Sequence, residues 1–134
     1  MLTYVFVSKD EHKRNTEVEL YAKEYNADKV ILFSPHSTNF QINNIKTTYC
    51  AVTRQFMEYT VDEILENKDN HKYLIIFDQC GDDVRTLTNH SFLALLNCRL
   101  KCKCKLFFAL PTNIHIQSEN TYMDNVILFN MDCD

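Results

Sequence analysis

The sequence predicts an α/β domain whose mainly parallel sheet of about five strands is covered by helices on both faces. Five short apolar runs rich in β-branched and aromatic residues recur along the chain, and segments with helical periodicity lie between most of them. Strands that alternate with helices indicate right-handed crossovers and a three-layer architecture. A chain of 134 residues fits a single domain over residues 1–134.

The elements are predicted from runs, caps and breakers. Thr16 and Glu19 have the spacing of a capping box, which predicts where the first helix begins. Pro35 ends the second strand, and the polar residues after it predict a loop. In chain order we predict a strand over 2–7, a helix over 16–26, a strand over 30–33, a loop over 34–46, a helix over about 47–67, strands over 73–78 and 105–110 separated by a helix over about 88–100, and a last strand over 125–130.

Polar residues follow the strands, and the carboxyl ends of parallel strands meet at one edge of a sheet. The most strand-like run, Tyr73 to Phe77, ends at Asp78. Asp78 is a candidate for chemistry at that edge, although an acid in this position can simply end a strand. The residues predicted at this edge are Asp10, Ser34, Asp78, Thr112 and Asn130.

Three acids close together predict one candidate metal site. Asp78, Asp82 and Asp83 could hold a hard divalent cation such as Mg²⁺ through their oxygen atoms. With Asp10, they would suit a small Mg-dependent enzyme of phosphate chemistry or a receiver-like domain. The alternative is that these loop acids are solvated turn formers.

Cysteines and histidines do not form a familiar metal motif. His90, Cys98, Cys102 and Cys104 lack the spacing of paired Cys-x-x-Cys knuckles, so we favour buried or half-buried free thiols. The protein is expected to be intracellular because the N-terminus lacks a basic leader before its short apolar run. In that compartment cysteines stay reduced.

One basic cluster stands out in a chain with a net charge of −4. It contains Arg99, Lys101, Lys103 and Lys105, at the end of a predicted helix, where cations favour the helix dipole. DNA binding is the alternative interpretation, and it predicts association that weakens strongly with salt. No aromatic residues interleave with these cations in the sequence, which argues against a nucleic-acid surface.

The segment from Leu74 to Asp82 resembles the Walker B segment of the DNA-packaging ATPases of poxviruses and other large DNA viruses, which are FtsK/HerA-type P-loop motors. In that family the strand ends in two adjacent carboxylates followed by x-Gly-Asp. Residues 3–8, 92–99, 106–112 and 126–130 resemble further strands and a helix of the same core in hydrophobic pattern. The resemblance implies a RecA/FtsK-like fold and a viral origin, in host cytoplasm or virion.

The departures from the family imply loss of catalysis. The only glycine in the chain is Gly81, so a glycine-rich phosphate loop is excluded. Gln79 replaces the second carboxylate, Pro111 replaces a sensor glutamine, and Arg99 is only approximately in register with the family's arginine. We therefore expect a degenerate ATPase relative that binds a protein, either the motor or a virion component. It would need no cofactor; Mg²⁺ or ATP would be required only under the alternative.

The resemblance also makes a topological prediction. It matches residues 3–8 to the family's second strand, so the first strand, which precedes the phosphate loop and lies centrally in that fold, would be missing. Without it, the strands over 106–110 and 126–130 would become neighbours. We therefore predict that these two strands pair directly.

Overall fold

Six parallel strands form one sheet in the computed structural model of the chain, which describes residues 3–35, 40–79, 103–111 and 126–130. The strand order is β3-β2-β4-β5-β1-β6, and every neighbouring pair is parallel. The elements are β1 (Thr3–Val7), α1 (Glu11–Tyr25), β2 (Lys29–Phe33), β3 (Ile45–Tyr49), α2 (Arg54–Glu66), β4 (Tyr73–Asp78), β5 (Cys104–Leu110) and β6 (Val126–Asn130).

The sheet is buried on both faces because one helix packs against each. Val18 and Ala22 of α1 belong to the hydrophobic cluster that contains Ile76 of β4. Met57 and Ile64 of α2 belong to the opposite cluster, with alternate residues of the same strands. Continuous apolar strands such as β4 are therefore buried on both sides, as their sequence predicts. The predicted three-layer α/β architecture is confirmed.

The prediction that β5 and β6 pair directly is wrong, because β1 lies between them. Val5 is in register with Phe108 of β5 on one side and with Leu128 of β6 on the other. A central strand satisfies the backbone groups on both of its sides, and the apolar Val5, Phe6 and Val7 suit burial on both faces. Hydrophobic pattern identified this strand but carries no information on its neighbours.

A sixth strand, β3, is a second difference from prediction, since residues 45–49 fall at the end of the predicted loop and the start of the predicted helix. Among the described strands it pairs with β2 alone, and a β-bulge interrupts the pairing between Val30 and Ile31. Its half-exposed Thr-rich sequence lacks an apolar run because only part of an edge strand is buried. Helix α2 begins later than predicted, at Arg54, where the Thr53 side chain accepts a hydrogen bond from the Phe56 N–H at 3.1 Å.

Helix α1 begins five residues before the predicted start. Asp10 is its N-cap, and its carboxylate accepts a hydrogen bond from the Lys13 N–H at 3.2 Å. Thr16 lies inside the helix, where its hydroxyl donates to the His12 carbonyl, so the predicted capping box is wrong. The predicted helix over about 88–100 and the segment 112–125 lie outside the described residues. In the described part of the chain, no helix is long and apolar enough to cross a membrane.

Candidate functional site

Buried polar side chains collect at the carboxyl edge of the sheet. Ser8 follows β1, Ser34 follows β2, and Asp78 ends β4, and all three are at most 3% exposed. Parallel topology places these strand ends together, as the sequence predicts for Ser34 and Asp78. Burial of polar groups is costly unless they are hydrogen-bonded, so this edge is the first place to look for a function.

Asp78 is the centre of this group and is 0% exposed. The Ser34 hydroxyl donates a hydrogen bond to its Oδ2 at 2.9 Å, across the neighbouring strands β2 and β4. Burial raises the pKa of Asp78, while the Ser34 hydrogen bond and the Arg14 guanidinium act to lower it. The Glu11 carboxylate acts in the same direction as burial, and the net pKa lies above the ordinary value.

Arg14 is the second buried charge at this edge, and the sequence interpretation missed it. It is 2% exposed, and its Nη1 donates to the Ser8 carbonyl at 2.8 Å. Arg14, Val18 and Ala22 lie four residues apart along the buried face of α1. That spacing could have indicated that Arg14 lies on the buried face of the helix. The prediction that the helix begins at Thr16 instead assigned Arg14 to a turn.

The N-terminus of α1 is occupied by the chain's own polar groups. Only Ser8, Lys9 and Asp10 connect β1 to α1. The Ser8 hydroxyl accepts a hydrogen bond from the Asp10 N–H at 3.1 Å, and Asp10 caps the helix. Glu11 adds a second acid to the first turn. These carboxylates take the favourable place at the positive end of the helix dipole that a bound phosphate would otherwise use.

Gln79 follows Asp78 in a left-handed backbone conformation, with a φ of 57°. Its N–H donates to the Ala109 carbonyl at 2.7 Å, which fixes the chain where it leaves the sheet. Its side-chain amide acts to lower the pKa of the Asp78 carboxyl. A neutral amide is a poor general base.

The structure does not bring together all of the predicted edge residues. Asp10 is an exposed helix cap, so it shares no cation site with the buried Asp78. Asn130 ends β6 in register with Val7. Within residues 3–35, 40–79, 103–111 and 126–130, no group of three or more His, Cys, Asp or Glu side chains could hold a metal ion. The predicted residues that lie outside these ranges are Asp82, Asp83, His90, Cys98, Arg99, Lys101, Cys102 and Thr112.

The described part of the basic cluster lies at the opposite edge of the sheet. Lys103 precedes β5 and is exposed, whereas Lys105 lies near the beginning of β5 and is half-buried. Cys104 between them is a buried thiol whose Sγ donates to the Lys105 carbonyl at 3.8 Å, in line with the predicted buried thiols. Lys103 and Lys105 therefore lie at the opposite end of the strands from the buried Asp78.

Comparison of the chain with protein-family models, curated proteins and solved structures finds no match. The features of the molecule that bear on its function are the strand order, the buried polar group around Asp78 and the charges at the two edges of the sheet.

Proposed function

We propose that this chain is a degenerate, non-catalytic relative of the viral DNA-packaging ATPases and acts by binding a protein, either the motor or a virion component. The observation that carries the proposal is the closed N-terminus of α1. Asp10 caps this helix, and the buried Arg14 side chain donates to the Ser8 carbonyl. A phosphate-binding helix start instead presents its N–H groups and its positive dipole end to the ligand.

The strand order supports the same proposal in a revised form. In the resembling family, the strand before the phosphate loop lies centrally, and here β1 is the strand between β5 and β6. Helix α1 follows β1 after a connection too short for the G-x-x-x-x-G-K-[ST] loop. The comparable position is therefore occupied by a strand and a helix without a phosphate loop between them, rather than by a missing strand.

The chemistry of the Asp78 group also favours loss of hydrolysis. A Walker B acid must be ionised to help hold Mg²⁺, but burial raises the pKa of Asp78. The neighbouring Gln79 cannot take a proton from an attacking water as a carboxylate would. Ser34, Arg14 and Gln79 already act on the Asp78 carboxyl, which suits a structural role at the end of β4.

Nucleotide assays on the intact protein test the non-catalytic part of the proposal. We expect no ATP hydrolysis above the buffer control and no rise in the thermal unfolding midpoint on addition of Mg-ATP. Asp78→Asn is the matched variant because it removes the charge and keeps the shape of the side chain. Hydrolysis by the wild-type protein that disappears in Asp78→Asn would overturn the proposal.

The partner is tested with the full-length packaging ATPase, carrying an intact phosphate loop, from the same genome. We expect the two proteins to sediment as a complex at micromolar concentrations in analytical ultracentrifugation. If they sediment independently, the motor is not the partner, and the same measurement is repeated with purified virion proteins. Failure of both associations would contradict protein binding as proposed here.

The magnesium hypothesis remains a separate prediction, because Asp82 and Asp83 lie outside the described residues. Titration with MgCl₂, followed by NMR shifts of the acidic residues, tests it. Saturable shifts centred on Asp78, Asp82 and Asp83 would favour Mg-dependent phosphate chemistry over the non-catalytic proposal. Weak shifts spread over all surface acids would favour the solvated-turn interpretation.

A further inference from the structure

Three lysines lie next to one another at the amino edge of the sheet, where β2, β4 and β5 begin. The Lys29 N–H donates to the Lys72 carbonyl at 3.2 Å, and the Tyr73 N–H donates to the Lys103 carbonyl at 2.8 Å. Neighbouring strands are about 4.8 Å apart, so the three backbones form a row about 10 Å long. Lys105, two residues beyond Lys103, adds a fourth cation.

The described carboxylates do not neutralise these four lysines through ion pairs. The ion pairs within the described ranges join Lys46 to Glu63 and Arg54 to Glu58. The nearby Asp28 carboxylate instead accepts a hydrogen bond from the Lys72 backbone N–H at 2.7 Å. A local cationic edge in a chain with a net charge of −4 points to an anionic ligand.

Tyrosine rings from β1 and α1 hold two of these lysines in place. The Lys72 ammonium lies 4.4 Å from the centroid of the Tyr25 ring, and the Lys105 ammonium lies 4.6 Å from the same centroid. Lys105 also lies 4.9 Å from the centroid of the Tyr4 ring, and its Nζ donates to the Tyr4 hydroxyl at 3.4 Å. The Tyr4 ring is also packed against the rings of Tyr21, Phe107 and Phe129, whereas Tyr25 is a half-buried residue at the end of α1.

We propose that the lysine–tyrosine surface formed by Lys72, Lys103, Lys105 and Tyr25 binds single-stranded nucleic acid. Lys29 is in register with Tyr73, so its side chain starts from the other face of the sheet and is not part of this surface. Neighbouring ammonium groups suit the repeating phosphates of a linear polyanion, and a partly exposed aromatic ring favours a strand whose bases are free to stack. No aromatic residue interrupts the basic cluster in the sequence, but the fold brings Tyr25 of α1 against Lys72 and Lys105. This inference is independent of the proposed partner protein and of the Asp78 group.

Fluorescence anisotropy with a labelled 20-nucleotide oligothymidine tests the proposal on the intact chain. Three phosphate contacts predict that log K falls with log[salt] with a slope of about −2. Lys72→Gln is expected to weaken binding several-fold and to make the slope shallower by about 0.7, because it removes one contact. Tyr25→Leu is expected to weaken binding by about tenfold through loss of stacking.

Control variants distinguish a loss of binding at this surface from the effects of a lower net charge or of misfolding. Arg54→Gln removes the same charge at the start of α2, near the opposite edge, and is expected to leave affinity unchanged. Lys105→Arg keeps the cation and its contact with the rings and is expected to keep binding. Far-UV circular dichroism checks that each variant is folded.

Binding measurements with other polyanions test whether the surface prefers single-stranded nucleic acid. Equal affinity for duplex DNA of the same length, or for polyglutamate, would overturn the assignment to single strands. Equal losses in Lys72→Gln and Arg54→Gln, or no measurable binding at 50 mM salt, would overturn the surface itself.

Discussion

Asp78 accepts a hydrogen bond from Ser34 while fully buried, and burial raises its pKa above the ordinary value of 3.8. The folded protein therefore holds this proton more tightly than the unfolded chain does. The resulting contribution to stability is fully present below the ordinary pKa and is lost as pH rises through the raised pKa. Arg14 and Glu11 are the charged groups that act on this carboxyl, with opposite signs.

Replacement of Asp78 by asparagine should remove this pH dependence. An asparagine oxygen can still accept from Ser34, and an amide has no ionised form to bury. The free energy of unfolding of Asp78→Asn, relative to that of wild type, should increase from pH 4 to pH 8. Urea unfolding at several pH values measures the difference. A difference that stays constant or decreases with pH would contradict a raised pKa in the folded state.

The backbone conformation of Gln79 is expected to affect stability independently of its side chain. Its φ of 57° disfavours a residue with a branched Cβ, whereas glycine adopts this conformation freely. Gln79→Val and Gln79→Gly both lose the side-chain amide, so the difference between them reports on the backbone conformation. We expect Gln79→Val to be less stable than Gln79→Gly by about 1–2 kcal/mol in urea unfolding. Equal stabilities would indicate that the chain leaves β4 in another conformation.

For helix α1, two alanine variants distinguish the observed N-cap, Asp10, from the predicted capping residue, Thr16. Asp10→Ala should lower the free energy of unfolding by about 1 kcal/mol, because Asp10 accepts from the Lys13 N–H and its charge favours the helix dipole. Thr16→Ala should change it by less than about 0.5 kcal/mol, since Thr16 is an exposed position inside the helix.

Thermal and urea unfolding of these two variants give the comparison, with wild type as the reference. A larger loss in Thr16→Ala than in Asp10→Ala would restore the capping box as the helix start. In that case Arg14 would precede the helix, and its buried contact with Ser8 would need another explanation.

At the scale of the whole molecule, the central position of β1 predicts slow hydrogen exchange. Val5 lies between β5 and β6 and is 2% exposed, so its amide should exchange within about tenfold of the amide of Ile75 in β4. The Thr48 amide should exchange much faster. The Tyr49 carbonyl faces β2, where it accepts from Ser34, so the backbone groups of Thr48 point away from β2.

Native-state hydrogen exchange followed by NMR measures these amides together. Fast exchange at Val5, comparable to that at Thr48, would place β1 at the periphery and revive direct pairing of β5 with β6. Strong protection of Thr48 would show that another segment or another chain covers the β3 edge.

The two edges of the sheet carry different chemistry, and strand length keeps them apart. A strand of six residues such as β4 spans about 20 Å, so the buried Asp78 group and the lysine–tyrosine surface are separated by the length of the sheet. Asp78→Asn should therefore leave the affinity for oligothymidine within about twofold of wild type, because effects at such distances are usually independent. Anisotropy titrations at 100 mM salt check this expectation.

The sequence by itself determined the fold class and most of the strands. Apolar runs such as Tyr73 to Phe77 have no alternative to burial on both faces, so local pattern is enough to identify them. It also predicted Asp78 and Ser34 at one edge of the sheet, because the carboxyl ends of parallel strands meet there. The sequence did not predict strand β3, because an edge strand needs few apolar residues and so lacks an apolar run.

Only the tertiary structure decided which strands are neighbours and which charges meet. The position of β1 between β5 and β6 depends on long-range backbone pairing, which has no local signature. Arg14 reaches the Asp78 group because α1 begins at Glu11, and Tyr25 reaches Lys105 because α1 ends above the start of β5. The electrostatic effect of Arg14 on Asp78 and the contact of Tyr25 with Lys105 both join residues far apart in sequence, and the packing of α1 on the sheet creates them.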